Sequence, residues 1–221
     1  MIAPVLAAVL AAATAALTGH SVQGRPIRLA ERDGPRPGRT VLVVGCIHGT
    51  EAAGIAVTKL LLHGPRPAAG RLLIIQDLNP DGRRLGVRVN ARGVDLNRNF
   101  PSEWRPIGRR GDPEYSGPRP LSEPETRFAR AVIRRYRPDI SIWFHQPQDV
   151  VRAWGPSLRV ARRYARAARW PFRAIRWPSG TASNWQNHAY PSRASFVVEL
   201  AAGPLGAAAA QRHARAIRAL L

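Results

Sequence analysis

Short runs of aliphatic and β-branched residues alternate with helical patterns along the chain. Four apolar runs predict buried strands: TVLVVGC (40–46), RLLIIQ (71–76), DISIWF (139–144) and SFVVEL (195–200). Apolar residues at helical spacing predict four helices, over residues 51–62, 122–136, 158–169 and 206–220. With no internal repeat and no linker, this alternation predicts a single α/β domain whose sheet is mixed, largely parallel and flanked by helices.

Two local patterns refine this picture. Ser122 and Glu125, three residues apart at the start of the second predicted helix, have the spacing of a capping box. Residues 79–120 are rich in Gly, Pro, Asn and Arg and make a segment too long for a simple connection. Loops of this length usually carry function, so we expect part of a functional site here.

The composition fits one soluble domain with a core of its own. The chain has 221 residues, and its 20 Pro and 19 Gly are spread along it rather than concentrated in one tract. This distribution argues against disorder, collagen and coiled coil. The single cysteine, Cys46, excludes an intramolecular disulfide framework and a multi-cysteine metal site.

The charge is strongly basic, with 34 Lys and Arg against 14 Asp and Glu, a net charge of +20. Such a charge suits binding to nucleic acid or to another anionic polymer. The arginines are scattered, however, and the densest cluster, at residues 159–173, alternates with small and apolar residues as a solvated helix face does. We therefore predict no specific nucleic-acid site, and contact with an anionic cell-wall polymer stays open.

The N-terminus carries no charged side chain through Thr18 and contains small residues at positions 13–15, as secretory signal peptides do. We expect residues 1–18 to be a signal peptide or an apolar N-terminal segment, and residues 19–221 to form the folded domain. The protein would then be secreted or held in the cell envelope, or cytoplasmic if the segment is not a signal. Since the segment is mostly alanine, it predicts no stable membrane span.

Candidate chemistry lies where predicted strands end. His48 and Glu51 follow the first strand, and one helical turn would place both side chains on one face; His145 directly follows the third strand. In open α/β sheets, sites form at the carboxyl ends of strands. Catalytic zinc is held by three His or carboxylate ligands. These three residues therefore predict a metal site, although either histidine taken alone is compatible with a structural role.

Two longer motifs resemble the M14 family of zinc carboxypeptidases: GVDLNRNFP (93–101), which follows LNPDG (78–82), and SFVVEL (195–200). The resemblance begins at SVQGRPI (21–27), like the family's opening strand, continues through YSGP (115–118) and SEPET (122–126), and ends at Glu199. Within the family the chain looks most like the murein peptide amidase branch, because of its short His-Gly-x-Glu motif. That branch hydrolyses the bond between γ-D-glutamate and diaminopimelate in cell-wall peptides.

The resemblance implies a zinc carboxypeptidase-like catalytic domain and a role for each matched residue. One zinc ion would be held by His48, Glu51 and His145, with Glu199 as general base. Arg88 would polarise the scissile carbonyl, with Arg83, Arg84 and Arg92 as neighbouring alternatives for this role. A substrate carboxylate would be bound by Asn97 and Arg98, and the specificity loop, residues 179–185, would contribute Ser183 and Asn184.

The chain also departs from the digestive members of the family. Thr50 stands where they have an arginine, and residues 173–185 contain no tyrosine to serve as the family's substrate-capping tyrosine. The specificity loop offers Ser183 and Asn184 but no charged residue at the pocket position. We therefore expect a polar or zwitterionic leaving residue, such as diaminopimelate.

Three functions remain open. The leading hypothesis is a secreted or envelope zinc peptidase that acts on a small peptide with a free carboxylate. The second is an N-acyl amino acid deacylase or desuccinylase of related metal chemistry, and the third is a non-enzymatic basic protein that binds an anionic polymer. A serine hydrolase is not supported, because the chain has no G-x-S-x-G motif.

Overall fold

A computed structural model describes residues 17–221, so most of the predicted N-terminal segment lies outside the described residues. The strands are β1 (Thr18–His20), β2 (Pro26–Asp33), β3 (Thr40–Val44), β4 (Arg71–Ile75), β5 (Ile140–His145), β6 (Val150–Ala153), β7 (Phe172–Ala174) and β8 (Ala194–Glu199). The helices are α1 (Gly54–His63), α2 (Pro80–Leu85), α3 (Pro124–Tyr136), α4 (Leu158–Ala168), α5 (Ala182–Ala189) and α6 (Ala207–Arg218). Leu96–Arg98 and Gly155–Ser157 form single 3₁₀ turns.

The strands form one mixed sheet in the order β1-β2-β4-β3-β5-β8-β6-β7. Its centre, β4-β3-β5-β8, is parallel, whereas β2 and β6 run antiparallel to the strands beside them, β4 and β8. The four central strands are the four predicted from apolar runs, each shifted by at most two residues. Helices flank the sheet, so the predicted single α/β domain with a mixed, largely parallel sheet is confirmed.

Burial explains why the central strands were visible in the sequence. Strands buried on both faces read as continuous apolar runs, and every residue of β5 and β8 is buried. The strand β2 instead alternates exposed and buried residues at its start, and β6 and β7 have only four and three residues. These three strands and α5 escaped the sequence analysis because a short or half-exposed element gives a weak periodic signal.

The four predicted helices are present as α1, α3, α4 and α6, with ends shifted by up to three residues. In α4, Ala161 and Tyr164 are buried, while the arginines lie on the exposed side. The arginines of the cluster at residues 159–173 that belong to α4 thus form the solvated helix face that the sequence predicted. No helix within residues 17–221 is long and apolar enough to cross a membrane.

The predicted capping box at the start of α3 is wrong. The helix begins at Pro124, its N-cap residue is Glu123, and no side chain caps it. The hydroxyl of Ser122 donates to Glu123, and the buried Glu125 accepts from the backbone N–H of Val22 at 3.0 Å. Glu125 therefore ties α3 to the turn between β1 and β2, which local spacing could not indicate.

Two stretches differ in detail from what the family resemblance suggested. Residues 21–24 form a turn, so the opening strand is divided into β1 and β2. Thr18 begins β1 and pairs with Arg28, which makes the last residue of the predicted N-terminal segment part of the folded domain.

The loop 179–185 passes into α5 at Ala182, and Thr181 caps that helix by accepting from the Asn184 N–H.

Candidate active site

Three buried side chains converge at the carboxyl ends of β3 and β5. Nδ1 of His48 and Nδ1 of His145 each lie 2.9 Å from Oε2 of Glu51, and 3.2 Å from each other. Ligand atoms about 2 Å from a common tetrahedral centre would be roughly 3.3 Å apart. Two imidazole nitrogens and one carboxylate oxygen at these separations fit a divalent metal ion such as zinc.

A tight turn, not a helix, brings His48 and Glu51 together. The Glu51 N–H donates to the His48 carbonyl at 2.9 Å, and α1 begins only at Gly54, so the predicted helical turn between them is wrong. Gly49 makes this turn possible, because a Cβ there would lie 2.1 Å from the carbonyl carbon of Gly82. The turn places the two side chains side by side, as one helical turn was expected to do.

Asp95 supports the cluster from behind and was not among the predicted site residues. Its Oδ1 accepts from Nε2 of His48 at 2.9 Å, and Asp95 is fully buried. This hydrogen bond holds the proton on Nε2 and leaves Nδ1 free to bind a metal. The residue lies inside the motif GVDLNRNFP, but only its proximity to His48 reveals its part in the site.

The protonation of the cluster follows from its charges. Burial alone would raise the pKa of Glu51, but the hydrogen bonds with His145 and His48 lower this pKa well below its usual value. Burial alone would raise the pKa of Asp95 and lower that of His48, yet their mutual attraction and hydrogen bond lower the former and raise the latter. Glu51 and Asp95 are therefore ionised, and their negative charge favours a cation at the position where the cluster converges.

Arg88 bridges the two carboxylates. Its Nη1 donates to Oε1 of Glu51 at 2.6 Å, and its Nε and Nη2 donate to Oδ2 of Asp95 at 3.1 and 3.0 Å. Of the four arginines considered for this position, Arg88 is the one that lines the cavity beside the cluster among the described residues. Arg83 instead forms an ion pair with Asp77.

Asn97 and Arg98 lie on the 3₁₀ turn that follows Asp95. Oδ1 of Asn97 accepts from the N–H of Ala182 at 3.0 Å, which fixes the side chain between this turn and α5. Arg98 donates to the carbonyl of Asn97 at 3.1 Å and to Oε1 of Glu114 at 2.6 Å. The guanidinium is thus already paired with a carboxylate, and that carboxylate comes from an exposed side chain.

Glu199 ends β8 directly beside His145, with which it pairs in parallel register. Its carboxylate is buried, and Oε2 has no hydrogen-bond partner within residues 17–221. Nη1 of Arg152 is 3.6 Å from Oε1. The indole N–H of Trp170 donates to the Glu199 backbone carbonyl at 2.9 Å and holds the strand end in place.

The two residues predicted from the specificity loop separate. Ser183 lines the cavity, and its buried hydroxyl has no partner among the described residues. Asn184 lies outside the cavity lining and donates to Oε2 of Glu103 at 2.8 Å. A further charged residue, Arg152, enters the cavity wall from β6, a strand that the sequence analysis missed.

One cavity of about 270 Å³ therefore collects eight of the nine predicted residues: His48, Glu51, Arg88, Asn97, Arg98, His145, Ser183 and Glu199. Three of them are potential metal ligands, one is a buried carboxylate with a free oxygen, and two are guanidinium groups. Such a set can polarise a carbonyl, accept a proton from water and bind an anionic group.

Comparison with known proteins agrees with this chemistry. The family profile described as "Zinc carboxypeptidase" matches residues 69–203. Murein peptide amidase A of Escherichia coli (strain K12) is 34% identical over 117 residues, which cover 48% of this chain and 48% of that protein. The protein of the same name from Vibrio campbellii (strain ATCC BAA-1116) is 31% identical over 140 residues, covering 58% of this chain and 56% of that protein. The matched part of the chain spans about half the length of these relatives.

Solved structures extend the likeness to the whole fold. The crystal structure of murein-tripeptide amidase MpaA from Escherichia coli O157 superposes with a TM-score of 0.73 at 26% identity, covering 91% of this chain and 88% of that chain. Carboxypeptidase A from Helicoverpa armigera superposes with a TM-score of 0.72 at 19% identity, covering 91% of this chain and 67% of that chain. The second likeness concerns the fold alone.

Proposed function

Since the chain belongs to the zinc carboxypeptidase family, we propose that it is a metal-dependent peptidase that hydrolyses an amide bond next to a free carboxylate. The observation that carries this proposal is the convergence of His48, Glu51 and His145 with Glu199 in one cavity. Catalytic zinc sites have this composition: three protein ligands and a general base beside them.

The metal ligands would be Nδ1 of His48, Nδ1 of His145 and the Glu51 carboxylate. The donor separations fit zinc, and Asp95 holds His48 in the tautomer that a metal needs. One zinc ion bound here would supply Lewis acidity to the scissile carbonyl and to the attacking water. Zinc is the family's metal, and donor chemistry alone does not exclude other divalent ions.

Glu199 is the proposed general base. Its carboxylate would take a proton from the attacking water and pass that proton to the leaving nitrogen. Two observations support this role: Oε2 is buried without a partner among the described residues, and the pairing of β8 with β5 holds Glu199 beside His145. The strand pairing fixes the carboxylate next to the metal ligands, which proton transfer over a short distance requires.

Arginines and one amide would hold the substrate. Arg88 lies against Glu51, where its guanidinium would stabilise the negative charge that develops on the carbonyl oxygen. Asn97 and Arg98 would bind the free carboxylate, which suits a planar guanidinium. A substrate carboxylate would replace Glu114 on Arg98, since Glu114 is 55% exposed and free to withdraw.

For the substrate we propose a cell-wall peptide from which diaminopimelate leaves. The support comes from relatives named murein peptide amidase and murein-tripeptide amidase, and from a polar cavity near the small end of the range for ligand pockets. A cavity of this size suits one amino acid residue better than an extended peptide. We also propose that the protein is secreted or held in the cell envelope, on the ground of the signal-like N-terminal segment alone.

The test is hydrolysis of a γ-D-glutamyl-diaminopimelate peptide by the purified protein, with added zinc, with a chelator, and with the Glu199→Gln variant. We expect cleavage that the chelator abolishes and zinc restores, and a loss of at least about 100-fold in kcat for Glu199→Gln with zinc binding retained. Cleavage of N-acyl amino acids instead of this peptide would favour the deacylase. Cleavage that survives the chelator would refute the metal mechanism.

A further inference from the structure

The three arginines that line the cavity are not equally paired. Arg88 and Arg98 each donate to a carboxylate at 2.6 Å. Among the described residues, the one hydrogen bond of the Arg152 guanidinium runs from Nη1 to Oε1 of Gln148 at 3.3 Å, and its ion pair with Glu199 is longer, with Nη1 3.6 Å from Oε1. Nε of Arg152 is buried and has no partner within residues 17–221.

This guanidinium is largely withdrawn from solvent although its hydrogen bonding is incomplete. Arg152 lies on β6, opposite Val197 of the antiparallel β8, and its side chain is only 17% exposed. A charged group withdrawn from water is costly unless hydrogen bonds replace its hydration. A half-satisfied cation in the wall of a cavity is therefore suited to an anionic partner that enters the cavity.

The neighbouring wall supplies further donors. Trp177 and Ser183 line the same cavity, and both the indole N–H and the hydroxyl are buried without a partner among the described residues. We call Arg152, Trp177 and Ser183 the β6 wall, because each brings to the cavity lining a buried donor without a partner among the described residues. Such a wall is complementary to an acceptor with several lone pairs, and a carboxylate is the common example.

We propose that Arg152 anchors a subsite for a carboxylate on the side chain of the leaving residue, and so determines specificity. This inference rests on the proposed function and deepens it, because it states which feature of the leaving residue the enzyme reads. The carboxylate bound by Arg98 is the main-chain one, whereas the carboxylate on the β6 wall lies at the far end of the side chain. A leaving residue with both groups would be held at two points.

The inference has a sharp chemical consequence. Diaminopimelate differs from lysine by one carboxylate at the end of the side chain, so the two residues form a matched pair. A site that is built to hydrogen-bond a group rejects the analogue that lacks it, since the polar atoms of the site then stay unpaired. With lysine, the amine would also lie near the Arg152 guanidinium without the side-chain carboxylate that offsets the two positive charges, which adds charge repulsion.

A different role for Arg152 would be to orient Glu199, and the two roles predict different kinetics. A positioning residue for the base would affect every substrate equally and mainly in kcat. A carboxylate anchor affects only substrates that carry the side-chain carboxylate, and mainly in KM.

The experiment compares γ-D-glutamyl-diaminopimelate and γ-D-glutamyl-L-lysine peptides as substrates of the zinc-loaded wild type and of the Arg152→Gln, Arg152→Lys and Arg166→Gln variants. Arg166 is an exposed arginine of α4, so its replacement controls for the loss of one positive charge.

We expect the wild type to prefer diaminopimelate at least about 10-fold, the usual effect of a charge-assisted hydrogen bond. Arg152→Gln should raise KM for that peptide about 10- to 100-fold and leave the lysine peptide within about threefold. Arg152→Lys should recover part of the preference, and Arg166→Gln should match the wild type.

Two results would overturn the inference: an equal loss of kcat on both peptides in Arg152→Gln, or no preference in the wild type. Failure of the proposed function is a separate outcome, namely that the wild type cleaves neither peptide. In that case, the subsite is tested by calorimetry, which measures how tightly free diaminopimelate and free lysine bind to the zinc-loaded wild type. Tighter binding of diaminopimelate, lost in Arg152→Gln, would support the subsite, and equal binding of the two amino acids would refute it.

Discussion

Asp95 and His48 form a buried hydrogen bond in which Nε2 of the imidazole donates to Oδ1 of the carboxylate at 2.9 Å. Neither side chain is more than 1% exposed. Because the proton is held on Nε2, the lone pair of Nδ1 points to the position where Glu51 and His145 converge. Asp95, which does not line the cavity, thus orients the imidazole toward the proposed metal site.

The first prediction concerns this hydrogen bond. Asp95→Asn keeps the shape of the side chain but removes the charge that holds the His48 tautomer, so zinc affinity should fall about 10- to 100-fold. Competition with a chromophoric chelator measures this affinity. Asp81→Asn is the matched control, because Asp81 is equally buried but bonds Ser21 and Arg25 outside the cavity. Equal zinc affinity in Asp95→Asn and the wild type would contradict the assigned role.

The second prediction concerns Glu114, which is paired with Arg98 at 2.6 Å. Glu114→Gln removes the carboxylate that competes with the substrate for this guanidinium. Exposed ion pairs contribute about 0–1 kcal/mol, so KM should fall by up to about fivefold, with kcat unchanged. Glu103→Gln, in the same loop but paired with Arg176, should leave KM unchanged. The effect should vanish with a substrate whose main-chain carboxylate is amidated; a persistent effect would assign Glu114 a different role.

The third prediction concerns the turn that joins His48 to Glu51. In Gly49→Ala the new methyl group would lie 2.1–2.4 Å from backbone atoms of Gly82, Arg83 and Val87, so the turn must shift. We expect the free energy of unfolding of the metal-free protein to fall by about 1–3 kcal/mol, with weaker zinc binding. Urea unfolding and a zinc titration measure the two effects. Gly206→Ala is the control, since a Cβ there meets nothing within 4 Å; identical behaviour of the two variants would show that the turn adapts freely.

The fourth prediction is a pH dependence of stability. Burial, assisted by the charge of Arg212, lowers the pKa of His213 to about 4. Between pH 6.5 and 4 the unfolded chain binds a proton that the folded chain does not, so stability is full above this window and falls as pH decreases through it. The loss should reach about 3 kcal/mol at pH 4. Urea unfolding at several pH values should show a smaller decrease in His213→Gln than in the wild type, and parallel curves would contradict the assignment.

The sequence predicted the centre of the molecule better than its margins, for a physical reason. His48 follows β3, and His145 and Glu199 end β5 and β8; these strands are buried, and such strands are visible as apolar runs. Their side chains meet because parallel strands end at the same edge of the sheet. The convergence of His48 and His145 therefore followed from local patterns together with one rule of topology, whereas Glu199 was assigned through the resemblance to the family.

Other features depend on contacts between distant parts of the chain. Arg152 belongs to the four-residue strand β6, and only its pairing with β8 brings it to the cavity. Asp95 lies in the motif GVDLNRNFP, but its role depends on the nearby imidazole of His48. Glu125 has the right spacing for a cap, yet it bonds Val22. In each case the local sequence shows the residue but not the distant residue that it contacts in the fold.

The division of the sheet has a consequence for engineering this protein. The proposed catalytic groups come from the ends of β3, β5 and β8 and, for Arg88, from the loop after α2, whereas the proposed β6 wall comes from β6, Trp177 and α5. Selectivity can therefore be redesigned at one margin of the scaffold while the reaction machinery stays fixed at its centre. A small library at positions 152, 177 and 183 would retarget the enzyme to other leaving residues without rebuilding its catalytic apparatus.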